Sequence, residues 1–179
     1  MIKSSWHYGR LYISLSAPTD SEAVAIHDIK PRILSADLPS PAWVFDPLSG
    51  CGSGYVYRTF EWNLDDASFE DTGVSTGEAL DVAEGTIKEP LGELFVVEPG
   101  QFALMQVQTT SCQGNYEWTM DLVYQAAGAE QMTTTVLGPF RSYGVAGEAE
   151  VYTSNGEVNG KADLVPALEG SGMLDDRYC

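Results

Sequence analysis

The sequence predicts an all-β protein, an antiparallel β-sandwich of the jelly-roll or immunoglobulin-like type with about eight to ten strands and almost no helix. Apolar and polar residues alternate in several short runs, which is typical of half-buried strands. Residues that favour turns separate these runs at intervals typical of sandwiches. No segment keeps the apolar spacing of three and four residues that a helix requires over about a dozen positions.

In the N-terminal half, residues 11–15 alternate as a first strand, and residues 23–29 form a second that Pro31 is expected to close. Prolines frame the segment Trp43-Val44-Phe45, which predicts an edge strand or an extended loop. Residues 55–64 follow as a long extended segment. Residues 65–73 are predicted to be an acidic loop, and residues 79–82 a possible further strand.

In the C-terminal half, residues 116–124 alternate clearly, and residues 102–109 are apolar on both faces, as in a central strand. The serine, glycine and asparagine between these two strands predict a turn. We therefore expect a hairpin with Cys112 at its tip. The next strand, residues 132–137, is expected to end at Gly138-Pro139, with residues 140–143 as a short closing segment.

The composition changes after Tyr143. Residues 1–143 are predicted to form the β-sandwich domain, and residues 144–179 an acidic, glycine-rich C-terminal tail with seven acidic residues against Lys161 and Arg177. Such a composition favours a loosely held or disordered tail, and the alternative is a clamp over a sheet edge.

The charge of the chain restricts its partners. The formal net charge is −17, from 26 acidic against 9 basic residues. This charge argues against a nucleic-acid partner and against adhesion to an anionic membrane. No window approaches the run of about 18 apolar residues that a spanning helix requires, so membrane insertion is not expected.

The chain has three cysteines, Cys51, Cys112 and Cys179, too few for a disulfide scaffold and poorly spaced for zinc. Cys51 and Cys112 both lie in segments that contain glycine and serine, so they are the candidates for one disulfide between loops. The alternative is two unrelated thiols. Cys179, the last residue given, is expected to be a free thiol.

No catalytic residue and no cofactor are predicted. The glycine-rich segment 50–54 lacks the lysine and the helix of a phosphate site. The carboxylates of Asp65, Asp66, Glu70 and Asp71 are weak calcium candidates, because calcium takes several oxygen ligands. Their spacing matches no calcium-binding loop, and acidic turns are common on an acidic protein.

Aromatic residues offer a better indication of function. Trp43, Tyr55 and Tyr57, together with Tyr12, are candidates for a binding surface, because exposed rings on a sandwich stack on sugars or fill a partner's pockets. The alternative is that most of the tryptophans belong to the core.

A series of short motifs runs through residues 11–143. They are Gly50-Cys51-Gly52, Tyr57-Arg58-Thr59-Phe60, Leu64-Asp65, Val97-Glu98-Pro99-Gly100, Cys112 with Trp118, Leu122 and Tyr124, and Gly138-Pro139-Phe140-Arg141. In this order they resemble an uncharacterised actinobacterial family of β-domains. The resemblance implies a soluble domain displayed outside the membrane behind an N-terminal anchor, with paired cysteines near the hairpin tip. Cys112 has no close second cysteine, which leaves Cys51 as its candidate partner.

The leading functional expectation is a non-enzymatic binding module outside the cytoplasm with a protein or carbohydrate partner, a cytoplasmic location being left open. The alternative is a structural subunit of a virion or appendage, a homo-oligomer in which the tail reaches onto a neighbour. A hydrolase with carboxylates among the acidic loops is the third hypothesis. The family that the chain resembles implies no activity.

Overall fold

The computed structural model describes residues 3–45, 57–75, 91–92, 95–144, 149–158 and 161–166. These residues contain no helix, which confirms the all-β prediction. They form twelve strands, more than the sequence predicted. The strands are β1 (Lys3–Trp6), β2 (Tyr8–Ser16), β3 (Val24–Ser35), β4 (Trp43–Phe45), β5 (Tyr57–Asn63), β6 (Ser68–Ser75), β7 (Val96–Val97), β8 (Phe102–Thr110), β9 (Asn115–Ala126), β10 (Thr133–Tyr143), β11 (Glu150–Val158) and β12 (Lys161–Pro166).

The strands form two mixed sheets. A nine-stranded sheet has the order β6-β5-β8-β2-β1-β10-β9-β3-β7, and a three-stranded sheet, called the small sheet below, has the order β12-β11-β4. Most neighbouring strands are antiparallel, as predicted. The pairs β1–β10, β5–β8 and β4–β11 are parallel.

The large sheet folds over on itself to make two layers. Trp62 of β5 lies 5.2 Å from Trp118 of β9, measured between ring centroids, although β8, β2, β1 and β10 separate these strands in the sheet. One layer is therefore β6-β5-β8-β2 and the other is β10-β9-β3-β7, with β1 at the fold. The buried core between them includes Ile13, Ile26, Ile29, Phe60, Trp62, Met105, Val107, Trp118, Met120 and Leu122.

The predicted hairpin of β8 and β9 is wrong. β8 pairs with β2 and β5, whereas β9 pairs with β10 and β3. The connection between the two strands instead crosses from one layer to the other. Serine, glycine and asparagine allow a chain to reverse, but they do not determine whether the returning strand pairs with its predecessor or packs over it.

Two prolines do not end strands as predicted. β3 continues through Pro31, which faces Met120 of β9. On its other side β3 pairs with β7 at Val24 and Ala25, and no described strand pairs with that edge at Pro31, where an N–H donor is absent. β10 likewise continues through Pro139, and its register with β9 shifts between Leu137 and Phe140 as a bulge.

The acidic segment after β5 is a strand for most of its length, and the predicted loop is wrong. Ser68–Ser75 forms β6, which pairs with β5 at the edge of the large sheet. The turn before it is stabilised by Asp66, whose carboxylate accepts the backbone N–H of Ser68 at 2.8 Å. Acidic side chains suit this position, because charges on an edge strand oppose pairing with other chains.

Part of the expected tail is folded. β11 and β12 form an antiparallel hairpin, and β11 also pairs with β4. These strands are therefore not disordered, and they extend β4 rather than an edge of the large sheet. The domain boundary at residue 143 stays a prediction, and the possible strand at residues 79–82 lies outside the described residues.

Candidate functional site

One face of the small sheet exposes a group of apolar side chains, which we call the aromatic face. The register places Trp43 beside Glu150, Phe45 beside Tyr152, Tyr152 beside Pro166 and Ser154 beside Leu164. Directly paired residues point to the same side of a sheet. The aromatic face therefore consists of Trp43, Phe45, Tyr152, Leu164 and Pro166.

Exposure distinguishes the two sides of the small sheet. Trp43 is 55% exposed, Phe45 40% and Leu164 48%, whereas Val44 and Thr153 on the opposite side are buried. The buried Val44 side chain holds β4 in place, while the side chains of Trp43 and Phe45 on either side of it face solvent. Large apolar side chains that cluster on an exposed surface are typical of interaction sites.

The rings on this face are not coplanar. Trp43 and Tyr152 meet edge to face, with ring centroids 6.4 Å apart and an interplanar angle of 87°. The Tyr152 hydroxyl donates a hydrogen bond to Glu150 Oε2 at 2.5 Å, and this bond raises the pKa of Tyr152. The face therefore combines apolar contact area with one carboxylate at its border.

A concave feature lies between β2 and β10. It is a cleft of about 420 Å³, and its walls include Ile13, Leu15, Val24, Ile26, Leu122 and Leu137. None of the described residues that line it is charged. We call it the β2–β10 cleft.

Asp65 binds the segment that connects β8 to β9 and passes from one layer to the other, which we call the crossing. Its carboxylate accepts the backbone N–H groups of Cys112 at 2.7 Å and of Gln113 and Gly114 at 3.2 Å. It also accepts the Tyr116 hydroxyl at 2.7 Å. Burial, together with this hydrogen bond to a charged acceptor, raises the pKa of Tyr116 to about 12.

Cys112 in the same crossing is disulfide-bonded. Cys51 and Cys179 both lie outside the described residues, so the pairing of Cys51 with Cys112 stays a prediction.

The structure does not gather the four calcium candidates around one point. Asp65 binds the crossing, Asp66 binds its own turn, and Asp71 pairs with the buried guanidinium of Arg58. Glu70 is exposed and lies opposite Glu61 of β5. Within the described residues, no group of three or more histidine, cysteine, aspartate or glutamate side chains is placed to hold a metal ion.

The structure places the aromatic candidates for a binding surface on different parts of the molecule. Trp43 is exposed on the aromatic face, and Tyr12 is 50% exposed on β2 of the large sheet. Tyr57 begins β5, and Tyr55 lies outside the described residues. Trp62 and Trp118 are buried and Trp6 is half-buried, so two of the four tryptophans belong to the core, not most of them.

Sequence reasoning missed the partners of Trp43 on this face. Phe45 lies two residues after Trp43 in the same strand, so the alternation of side chains along a strand places both on one face. Tyr152 and Leu164 lie in a segment whose composition favoured disorder, so only the three-dimensional register brings them to Trp43.

No family model, curated protein sequence or solved structure matches this chain. In the described part of the chain, no helix has the length and apolar character needed to cross a membrane.

Proposed function

We propose that this protein is a non-enzymatic binding module that attaches to a protein partner outside the cytoplasm through its aromatic face. The observation that carries the proposal is the exposure of Trp43, Phe45 and Leu164 on one side of the small sheet while Val44 on the other side is buried. Aromatic side chains are enriched among the residues that dominate protein interfaces.

The shape of the face favours a protein over a carbohydrate. The rings of Trp43 and Tyr152 are nearly perpendicular, so they offer no continuous flat platform for successive sugar rings. Leu164 and Pro166 extend the apolar area beyond the rings and add no side-chain group that hydrogen-bonds to sugar hydroxyls.

The negative charge of the chain indicates the charge that a partner should carry. The chain carries a net charge of −17, and Glu150 borders the face. A complementary partner has an apolar patch with basic side chains around it, since complementary charges raise the association rate and suppress wrong partners.

The disulfide of Cys112 supports the location, because structural disulfides persist mainly in oxidising compartments. The alternative is a structural subunit whose C-terminal segment reaches a neighbour. β11 and β12 already pair within their own chain, so an exchanged arm of that kind requires these strands to leave β4.

The test compares two exposed phenylalanines. Wild-type protein, Phe45→Ser and Phe102→Ser are immobilised and exposed to cell-surface extract from the native source. Phe102 is 63% exposed on β8 and serves as the matched control. Each retained protein is then purified and titrated against the three forms. We expect a partner whose affinity falls at least tenfold with Phe45→Ser and changes less than twofold with Phe102→Ser.

Three results contradict the proposal. The first is that no purified protein shows this dependence on Phe45. The second is that purified glycans bind and Trp43→Ala abolishes their binding, which identifies a carbohydrate module. The third is that the retained protein is this chain itself, which favours the assembly subunit.

A further inference from the structure

The segment that enters β4 is attached to the end of the crossing. The Leu38 N–H donates to the backbone carbonyl of Asn115 at 3.1 Å, and the side-chain amide of Asn115 donates to the Leu38 carbonyl at 3.1 Å. Asn115 is buried and is the first residue of β9, directly after the crossing. The small sheet is therefore connected to the crossing on the side where the chain approaches Trp43.

The chain that leaves β10 towards β11 meets the crossing at Gly144. The Gly144 N–H donates to the carbonyl of Gly114 at 2.9 Å. A Cβ atom at Gly144 would lie 2.7 Å from the backbone nitrogen of Cys112 and from the carbonyl group of Ser111, closer than real side chains approach. Glycine therefore lets the backbone pack directly against the crossing on its path to the small sheet.

The disulfide of Cys112 adds a covalent attachment at the same place. The chain has three cysteines, so the partner of Cys112 is Cys51 or Cys179. Cys51 follows β4 in the chain, and Cys179 follows β12. Either bond therefore ties a segment that leaves the small sheet to the crossing, and the pairing with Cys51 does so through the shorter length of chain.

Within the described residues, apolar packing contributes little to this attachment. The hydrophobic core between the two layers, with the side chains packed against it, contains no described residue of β4, β11 or β12. No described strand of the small sheet pairs with the large sheet. A small sheet is marginally stable unless it buries a hydrophobic face, and the aromatic face is exposed. The attachments to the crossing should therefore decide whether the small sheet stays ordered.

We propose that the disulfide of Cys112 is a redox lock on the aromatic face. In the oxidised protein the bond fixes the small sheet at the crossing and so keeps Trp43 beside Tyr152. A dithiol reductant converts the bond to two cysteine thiols and is itself oxidised to a disulfide, with two electrons and two protons passing to the protein. The small sheet then loses its order, and the aromatic face is no longer assembled. The lock rests on the proposed function, because it regulates the same face.

The rest of the fold does not require the disulfide. Asp65 binds the crossing through the backbone N–H groups of Cys112, Gln113 and Gly114, and reduction of a side-chain sulfur removes none of these bonds. The core between the layers packs without the small sheet. Because oxidising compartments preserve disulfides and the cytoplasm reduces them, the lock restricts partner binding to the compartment in which the module is proposed to work.

Amide NMR spectra test the structural part of the proposal without a partner. Spectra are compared for oxidised wild type, for wild type reduced with dithiothreitol, and for Cys112→Ser, Cys51→Ser and Cys179→Ser. In the reduced protein and in Cys112→Ser, we expect the signals of β4, β11 and β12 to move to the shifts of a disordered chain while those of β2, β8 and β9 stay in place. The serine variant of the partner cysteine should do the same. The variant of the third cysteine is the matched control and should keep the wild-type spectrum.

The functional part is tested with the protein that the Phe45→Ser comparison retains and purifies. Its affinity is measured for oxidised wild type, Cys112→Ser and the control serine variant. We expect Cys112→Ser to lower the affinity at least tenfold and the control to change it less than twofold. Without any such protein the proposed function fails, and the NMR comparison still decides whether the disulfide orders the small sheet.

Three results overturn the lock. Unchanged signals of β4 and β11 in the reduced protein would show that other contacts hold the small sheet. Loss of the signals of β8 and β9 together with them would show that the bond stabilises the whole fold. Equal affinity of the retained protein for the oxidised and reduced forms would refute the lock and leave the proposed function intact.

Discussion

At the scale of single residues, Asp65 is the side chain that most clearly connects distant parts of the chain. It stands in the turn between β5 and β6, yet its carboxylate accepts three backbone N–H groups from the crossing between β8 and β9 and the hydroxyl of Tyr116. An aspartate in an acidic segment predicts a metal ligand or a solvated turn. Which donors surround it depends on the folding of one layer over the other, and no local pattern contains that information.

Replacing Asp65 by asparagine should destabilise the protein. The variant loses the charge and one of the two acceptor oxygens, and its amide donors face the N–H groups of the crossing. We expect the free energy of unfolding to fall by about 3 kcal/mol, measured by urea denaturation. Asp66→Asn is the matched control, since Asp66 is exposed and binds only within its own turn. Equal losses in both variants would show that Asp65 does not hold the crossing.

Tyr116 makes the stability depend on pH in the alkaline range. Its pKa is about 12 in the folded protein against an ordinary value of 10.0. Between these values the unfolded chain loses the proton that the folded chain keeps, so the free energy of unfolding falls as pH rises from about 10 to about 12. Tyr116→Phe should remove this component. Urea denaturation of both proteins across this range measures the difference, and parallel curves would contradict the assignment.

At the scale of strands, alternation predicted the existence of most elements but not their pairing. The patterns of β8 and β9 are clear in the sequence, yet the strands lie in different layers because each pairs with strands far away in the chain. Pro31 is tolerated within β3 because no described strand pairs with one edge of β3 at this point. Acidic residues in β6 indicate an exposed edge strand as much as a loop. These distinctions depend on neighbours that only the complete sheet supplies.

The pairing of β5 with β6 contains an ion pair with a buried cation, and removal of its anionic partner should destabilise the protein. The Arg58 side chain is only 2% exposed and pairs with Asp71. Its guanidinium carbon lies 5.2 Å from the centroid of the Phe95 ring. Asp71→Asn leaves a buried cation with a weaker partner, so we expect a loss of about 2 to 4 kcal/mol in thermal or urea unfolding.

Glu70→Gln is the control for that variant. Glu70 is exposed beside Glu61 on the partner strand, so removal of its charge relieves repulsion and should change the stability by no more than about 0.5 kcal/mol. A loss with Glu70→Gln as large as that with Asp71→Asn would assign the effect to the general charge of the strand.

At the scale of the whole molecule, the two sheets carry different surface features. The aromatic face belongs to the small sheet, and the β2–β10 cleft opens between the two layers of the large sheet. The sequence predicts Trp43 as a candidate for a binding surface, and in the structure Trp43 is exposed on the aromatic face. The cleft was not predictable, because strands from both layers of the large sheet line it.

The redox state of the whole chain tests its proposed location. Protein purified from its native source without reductant should show Cys112 protected from alkylation, and peptide mapping should identify Cys51 as its partner with Cys179 reactive. Such a bond typically contributes about 2 to 4 kcal/mol to stability. A Cys112 that reacts with the alkylating reagent in the unreduced, denatured protein would remove the support for a location outside the cytoplasm.

The proposed function requires that the aromatic face contacts a protein partner in the protein's native setting. The most direct measurement is photocrosslinking in the source cells, with benzoylphenylalanine in place of Phe45 or, as the control, in place of Phe102, both of which are exposed. We predict a discrete adduct with another protein from position 45 and none from position 102. The absence of an adduct at position 45, or the same adducts from both positions, would contradict the account.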